Sequence, residues 1–219
     1  MRRVFINHNL TIPTKVAVYK AVCVSVLLYG CEGWTPYRRH IKALEAFHIR
    51  SLQIVLGIRW WQKVPHTEMF SKAAITPVEH LQVQRQLRWL GHVIRMPSNR
   101  LPRRLLYGEL SAGQRPANRP KKWFMDHVKS ILLRCSIDLS DLEAAAADRD
   151  EWRAICEEGL DKLNNNWISA SEKRRTSRRA ASMKPKTGPQ CPHCSTICAS
   201  AFGLRSHLRT HLPKRADTQ

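Results

Sequence analysis

Acidic residues are scarce in this sequence, and its first 125 residues contain no aspartate at all. The only acids there are Glu32, Glu45, Glu68, Glu79 and Glu109, each isolated among basic or apolar neighbours. That stretch therefore lacks the grouped carboxylates that hold paired metal ions for polymerase or nuclease chemistry. Glycine is sparse too, with nine residues against twelve prolines and no period, which excludes a fibrous repeat. Long hydrophobic runs are missing. The apolar run Ala21 to Cys31 falls short of the roughly 20 residues that cross a bilayer. The N-terminal MRRVFINHNLTIP places Asn, His and Asn where a signal peptide requires an unbroken apolar stretch. Neither a membrane span nor secretion is expected, so the seven cysteines read as thiols or metal ligands rather than a disulfide frame.

What the chain has in excess is positive charge: 37 Lys and Arg against 17 Asp and Glu, a formal net charge of +20 over 219 residues. The hydrophobic fraction of 43% and seven Trp are enough to build a core. The charge points to a polyanionic partner, nucleic acid or an anionic surface. It is distributed in blocks, +7 over residues 1–81, +9 over 82–123, −6 over 124–172 and +10 over 173–219. Two basic surfaces separated by an acidic helical segment are the expected result.

Periodicity predicts helices through residue 172. Pro13 opens a first helix through Val16, Tyr19 and Val22, although its Val-rich run equally suits a buried strand. Thr35-Pro36 begins a helix with Ile41, Leu44, His48, Leu52 and Val55 on one face, stopped by Gly57. Thr76 to Glu79 has the form of a capping box ahead of Val83, Leu87, Leu90 and Ile94. A second capping box, Ser140 to Glu143, leads into Ala144 to Ala147, and Trp152, Ile155, Leu160 and Leu163 mark another amphipathic helix. Residues 111–120 read as a loop. Residues 173–189 carry seven Lys or Arg, no acid and little apolar bulk, so a disordered basic linker is expected. Within it Lys173, Arg174, Arg175, Arg178 and Arg179 fit a nuclear localisation signal or phosphate-binding arm.

Cys191, Cys194, His207 and His211 match C-x2-C-x12-H-x3-H. Two thiolates on a tight turn and two imidazoles one helical turn apart converge on one zinc ion. Residues 190–212 are thus expected to form a ββα Cys2His2 finger with one structural zinc, followed by a disordered tail at 213–219. Leu204 takes the place of the finger's core leucine. Cys198 stands at the usual aromatic position, with Phe202 available to fill part of the gap, and His193 is expected to face solvent. The base-reading positions of such fingers fall on Ser200, Gly203 and Ser206, which make no bidentate base contact. Arg205 and Arg209 instead suit phosphate attraction, and a sequence-specific transcription regulator is disfavoured.

In the basic block that starts at Arg85, the residues Arg85, Arg88, Arg95, Arg103, Arg104, Lys121 and Lys122 accompany Trp89, Tyr107 and Trp123, residue types that pair phosphates and either stack on bases or pack in a core. Asp148, Asp150 and Glu151, interleaved with Arg149 and Arg153, read as a solvated helix start. Cys23, Cys31, Cys135 and Cys156 read as buried inert thiols.

The segments LLYGCEGWT (27–35), RQLRWLGHVIRM (85–96), LPRRLLYGEL (101–110) and DRDEWR (148–153), followed by the Cys/His finger, resemble the region downstream of the reverse transcriptase domain in non-LTR, LINE-like retrotransposon polyproteins. The resemblance covers nearly the whole chain. It implies a C-terminal fragment or degenerate copy of such a protein, without the polymerase carboxylates and endonuclease of the parent, and hence not an enzyme. It also implies nucleic-acid partners, the missing upstream domain as a further partner, and a nuclear location with the cytoplasm second. The sequence-level expectation is a mainly α, irregular helical domain plus a small finger, holding RNA or DNA through phosphates. A protein-interaction module and a residual polymerase or nuclease are the alternatives.

Overall fold

The computed structural model describes residues 2–108, 124–183 and 188–211. The chain divides into two compact units, Met1–Ala170 and Ser171–Gln219. Among the described residues the structure is mainly helical and contains no β-strand. No helix among them is long and apolar enough to cross a membrane.

In the first unit, α1 (Arg2–Ile6) and α2 (Ile12–Val18) precede a π-helical segment, Tyr19–Val24, and a short α3 (Ser25–Leu27). Thr11 caps α2, and the Val-rich run is helical rather than a strand. Leu28, Cys31 and Tyr19 are buried in this run while Val26 and Tyr29 face outward. Next come α4 (Arg38–Leu56), α5 (His66–Ala73) and α6 (Val78–Ile94). Gly57, at φ +67°, ends α4 in the left-handed conformation that glycine adopts without a Cβ penalty. They are followed by α7 (Leu101–Tyr107), α8 (Phe124–Arg134), α9 (Leu142–Ala147) and α10 (Arg149–Met183).

Two hydrophobic clusters hold this unit together. One gathers Phe5, Tyr19, Leu28, Leu52, Val55, Met69, Phe70 and Val78, and the other gathers Val83, Leu87, Leu90, Ile94, Leu106, Leu132, Leu142, Trp152 and Leu163. Helix α6 serves both, with Val78 and Leu81 in the first and Val83, Leu87, Leu90 and Ile94 in the second. Helix α10 does likewise, since Trp167 stands edge-on to Phe70 at 5.5 Å. Cys31, Cys135 and Cys156 are buried as expected and Cys23 is half-buried; burial pushes the Cys156 thiol up to about 12.

Neither expected capping box forms. Helix α6 starts after Pro77, and its first amide, from Val78, donates to Glu45 Oε2 of α4 at 2.9 Å. Pro77 at the cap has no donor or acceptor side chain, so a neighbouring helix supplies the acceptor. The Thr76 carbonyl lies 3.2 Å from His48 Nε2, whose Nδ1 lies 2.7 Å from the Tyr19 hydroxyl. At the second site, the Ser140 amide donates to Asp138 Oδ1 at 3.0 Å, and α9 begins after Asp141 without a side-chain cap.

These buried polar groups make stability depend on pH. Burial raises Glu45 to about 7 from its ordinary 4.5 and lowers His48 and His80 to about 4 from 6.5. A raised carboxyl contributes stability below pH 4.5 that is lost as pH rises through 7; lowered histidines contribute stability above pH 6.5 that is lost as pH falls toward 4. Between pH 4.5 and 6.5 the two histidines make folding weaken on acidification and Glu45 opposes them by one proton. Glu45→Gln removes that opposition, and the slope of unfolding free energy against pH in this window is expected to steepen by about 1.4 kcal/mol per pH unit. Urea titrations across the window check it; parallel curves for the two proteins would contradict a neutral Glu45.

The basic segment from residue 173 is helical rather than disordered as far as the structure describes it. Helix α10 continues to Met183, and residues 184–187 lie outside the described residues. The physical reason is composition: Glu, Lys, Arg, Ala and Met are good helix formers, and extending an existing helix avoids the cost of nucleation. Charge favours it too, because Asp150 and Glu151 lie at the N-terminal end and the Lys/Arg run toward the C-terminal end.

Candidate metal centre and basic surfaces

The second unit contains α11 (Ala201–Leu208) and a 3-10 turn, Arg209–His211. The expected ββα arrangement does not form: among the described residues this unit has no strand. The two expected strands are replaced by one antiparallel bridge between Gln190 and Ile197. Pro189 and Pro192 flank the short segment, removing ladder donors. The turn closes through the Cys191 amide to the Thr196 carbonyl at 2.9 Å and the Cys198 amide to the Pro189 carbonyl at 3.0 Å. Ser195 occupies the left-handed region at φ +55° to make that turn.

Within this frame Cys191, Cys194, His207 and His211 place their ligand atoms within 4.8 Å of one another, positioned to bind one metal ion. Cys194 Sγ lies 3.0 Å from His207 Nε2, Cys191 Sγ 3.5 Å from His211 Nε2, and the two Nε2 atoms 3.2 Å apart. A tetrahedral ion with nitrogen at about 2.0 Å and sulfur at about 2.3 Å has N–N edges of about 3.3 Å and N–S edges of about 3.5 Å. The donor set fits such an ion. The Thr196 hydroxyl, 3.1 Å from Cys194 Sγ, together with the Thr196 amide and His207, holds the Cys194 thiol down at about 6, toward the thiolate that binds metal.

The surroundings of the quartet differ from expectation in one respect. Phe202 is 82% exposed and fills no gap. Cys198 is buried, Leu204 and Leu208 are half-buried, and His193 is exposed with its ring 5.3 Å from that of His211. Ser200 is the N-cap of α11, its Oγ accepting from the Gly203 amide at 3.1 Å, so its hydroxyl already has a structural use. Arg205 and Arg209 are exposed.

The basic residues of the first unit fall into two groups. Arg85 and Arg95, whose helical spacing off the apolar stripe predicts that they reach solvent, and Arg103 are half-buried and donate to the carbonyls of Leu28, Ala146 and Met96 at 2.9, 2.7 and 2.7 Å. Their guanidinium groups hold loops to helices because Arg can carry several donors past an apolar stem to orphan carbonyls. Arg88 and Arg104 are exposed, as are Arg175, Arg178 and Arg179 on α10. Arg174 is exposed and has an interaction of its own. Lys121, Lys122 and Trp123, and the expected loop at 111–120, lie outside the described residues. Trp89 packs edge-on against Phe124 at 5.5 Å, a core role, whereas Tyr107 is 42% exposed.

Asp148 caps α10, accepting from the Asp150 amide at 2.8 Å, and Asp150 pairs with Arg153 at 2.9 Å. This matches the expected solvated helix start. Sequence reasoning missed Arg149 and His92 as members of a basic cleft with Arg88. The helical spacing of Gln84, Arg88 and His92 was visible in the sequence, but their juxtaposition with α10 was not. Compared with protein-family models, with curated protein sequences and with solved structures, the chain finds no match in any of the three.

Proposed function

We propose that this protein is a zinc-dependent nucleic-acid-binding module that grips RNA or DNA through phosphates and performs no chemistry itself. In this reading it serves as the accessory C-terminal region of a retrotransposon-type reverse transcriptase protein, as the four resembling segments imply, and works in the nucleus. The observation that carries it is the Cys2His2 quartet, accompanied in its own unit by the exposed cations Arg175, Arg178, Arg179, Arg205 and Arg209. Zinc is the metal of choice for two thiolates and two imidazoles in tetrahedral array. Ser200, Gly203 and Ser206 offer no bidentate base contact, so discrimination between sequences is expected to be weak.

Binding to duplex DNA is expected to weaken steeply with salt, by about 0.9 log units in affinity per log unit of salt for each phosphate neutralised, and by about 0.7 for a single strand. Anisotropy titrations from low to physiological salt measure this; affinity that ignores salt would refute a phosphate-led mode. Magnesium- or manganese-dependent primer extension and nicking assays are expected to stay silent.

A protein-interaction role is the second reading, favoured by the exposure of Val26, Tyr29 and Trp60 at 74%, 84% and 79%. A partner retained after nuclease treatment would support it.

A further inference from the structure

Helices α6 and α10 leave between them a cleft of about 710 Å³ that is lined with cations, a volume within the range of sites that bind ligands. One wall is the outer face of α6, with Gln84, Arg88 and His92 in successive turns and Arg95 beyond them; the other is α10, with Arg149, Arg153 and Glu157. Trp152, Cys156 and Leu160 form an apolar floor. Among the described residues Arg88, His92 and Arg149 make no side-chain hydrogen bond or ion pair. Arg95 is held to the Ala146 carbonyl and Arg153 to Asp150. The acids at the cleft are Glu157 on its wall and Asp150 on Arg153, so four guanidinium groups face two carboxylates.

We propose that this cleft binds the backbone of single-stranded nucleic acid, an assignment that rests on the nucleic-acid reading and adds the strandedness and the place. Residues four apart on a helix rise by about 6 Å. Arg88 and Arg95 on one wall, and Arg149 and Arg153 on the other, therefore offer cations in series rather than at one point, with Gln84 and His92 as hydrogen-bonding groups beside Arg88. A series along a groove suits successive phosphates of an extended strand; a compact polyphosphate needs donors converging on one centre. The concavity selects further. A stiff duplex presents its phosphates on a convex surface and does not enter a groove of this size, whereas a single strand bends into it. Trp152 is only 3% exposed and its indole Nε1–H already donates to the Leu87 carbonyl, so the floor offers no stacking face and the grip is on phosphates, not bases.

The test uses the zinc-loaded full chain, a fluorescein-labelled 12-nucleotide single strand, the matching duplex, and ATP as competitor. Arg88 and Arg149 are exposed, so the double variant Arg88→Glu/Arg149→Glu is expected to fold, and Arg88→Gln/Arg149→Gln is the milder check if it does not. The expected result is a loss of about tenfold or more in single-strand affinity, a duplex affinity within about twofold of the parent, and a shallower salt dependence for the single strand by roughly two phosphates. Equal loss on both nucleic acids, or no loss on either while the parent binds them, overturns the cleft and leaves the broader reading standing. Competition by ATP at micromolar concentration also overturns it, since the cleft would then prefer a compact polyphosphate. A parent protein that binds neither strand form fails the broader reading itself. Finger variants Arg205→Glu/Arg209→Glu are expected to weaken duplex and single strand alike, which separates the two surfaces.

Discussion

Stripping the metal with a chelator is expected to unfold residues 188–211 while the first unit keeps its helices. The reason is the poverty of the finger's own core: its buried side chains are Cys191 and Cys198, Leu204 and Leu208 are only half-buried, and Phe202 lies in solvent. So little apolar area cannot offset the conformational entropy of ordering some two dozen residues. Metal ligation, worth about 10–16 kcal/mol for zinc in comparable peptides at neutral pH, supplies the difference. In the metal-free protein Cys191 and Cys194 should alkylate rapidly, and zinc should restore protection to both together. Cys194→Ala should reproduce the apo state, whereas Cys198→Ser, outside the quartet, should retain a stoichiometric ion. His193→Ala is the surface control. If the thiols of Cys191 and Cys194 reacted at one rate with and without zinc, the quartet would not be a metal centre.

How much of this was legible in the sequence follows from the range of the forces involved. The metal quartet was readable because ligand spacing on one turn and one helix is a local property. The apolar stripes of α4 and α6 were readable for the same reason, being set by a 3.6-residue period. The capping boxes failed because the competing acceptors are not local. Glu45 reaches the start of α6 from 33 residues away in the chain, and no window around Thr76 contains it. The expected disorder failed for the opposite reason. Low apolar content predicts disorder, but residues 173–183 extend a helix begun at Arg149, and helix extension does not require a core. The ligand spacing of a finger fixes where the ion sits and leaves the backbone of the eight residues from Gln190 to Ile197 free to close as a turn.

The arginines show the same limit in another form. Charge counting treats Arg85, Arg88 and Arg95 as equals, yet Arg85 and Arg95 hold the Leu28 and Ala146 carbonyls, whereas Arg88 is exposed and makes no such bond among the described residues. The segments that carry the resemblance meet physically at α6. Gln86 donates to the carbonyls of Cys31 and Trp34 at 3.1 and 2.8 Å, tying the 27–35 segment to it. Arg103 donates to the Met96 carbonyl at its C-terminal end, and Trp152 donates to Leu87 from α10. Their joint presence in one chain thus has a packing reason, independent of any partner.

Gly91 is where that packing is tightest, and Gly91→Ala is expected to destabilise the first unit despite improving the intrinsic propensity of α6. In an unpacked helix the substitution would add about 1 kcal/mol of stability. Here a methyl group on Gly91 would overlap the Trp152 indole at Nε1 and Cδ1. The indole is 3% exposed and bonded to Leu87, with Leu90 and Ile94 among the residues of its cluster, so it cannot slide aside within the core. Relief requires α10 to shift or Trp152 to leave, losing its hydrogen bond and part of its burial. Overpacking of this kind costs about 1–3 kcal/mol, and outright loss of a buried tryptophan about 3–5 kcal/mol. A net destabilisation of about 2–4 kcal/mol is therefore expected from urea unfolding. Trp152→Leu is destabilising alone but removes the obstacle, so adding Gly91→Ala to it should cost little or gain stability. A double-mutant cycle with strong positive coupling would establish the contact. Additive effects of the two substitutions would mean that α6 and α10 do not touch there, and the floor of the proposed cleft would go with them.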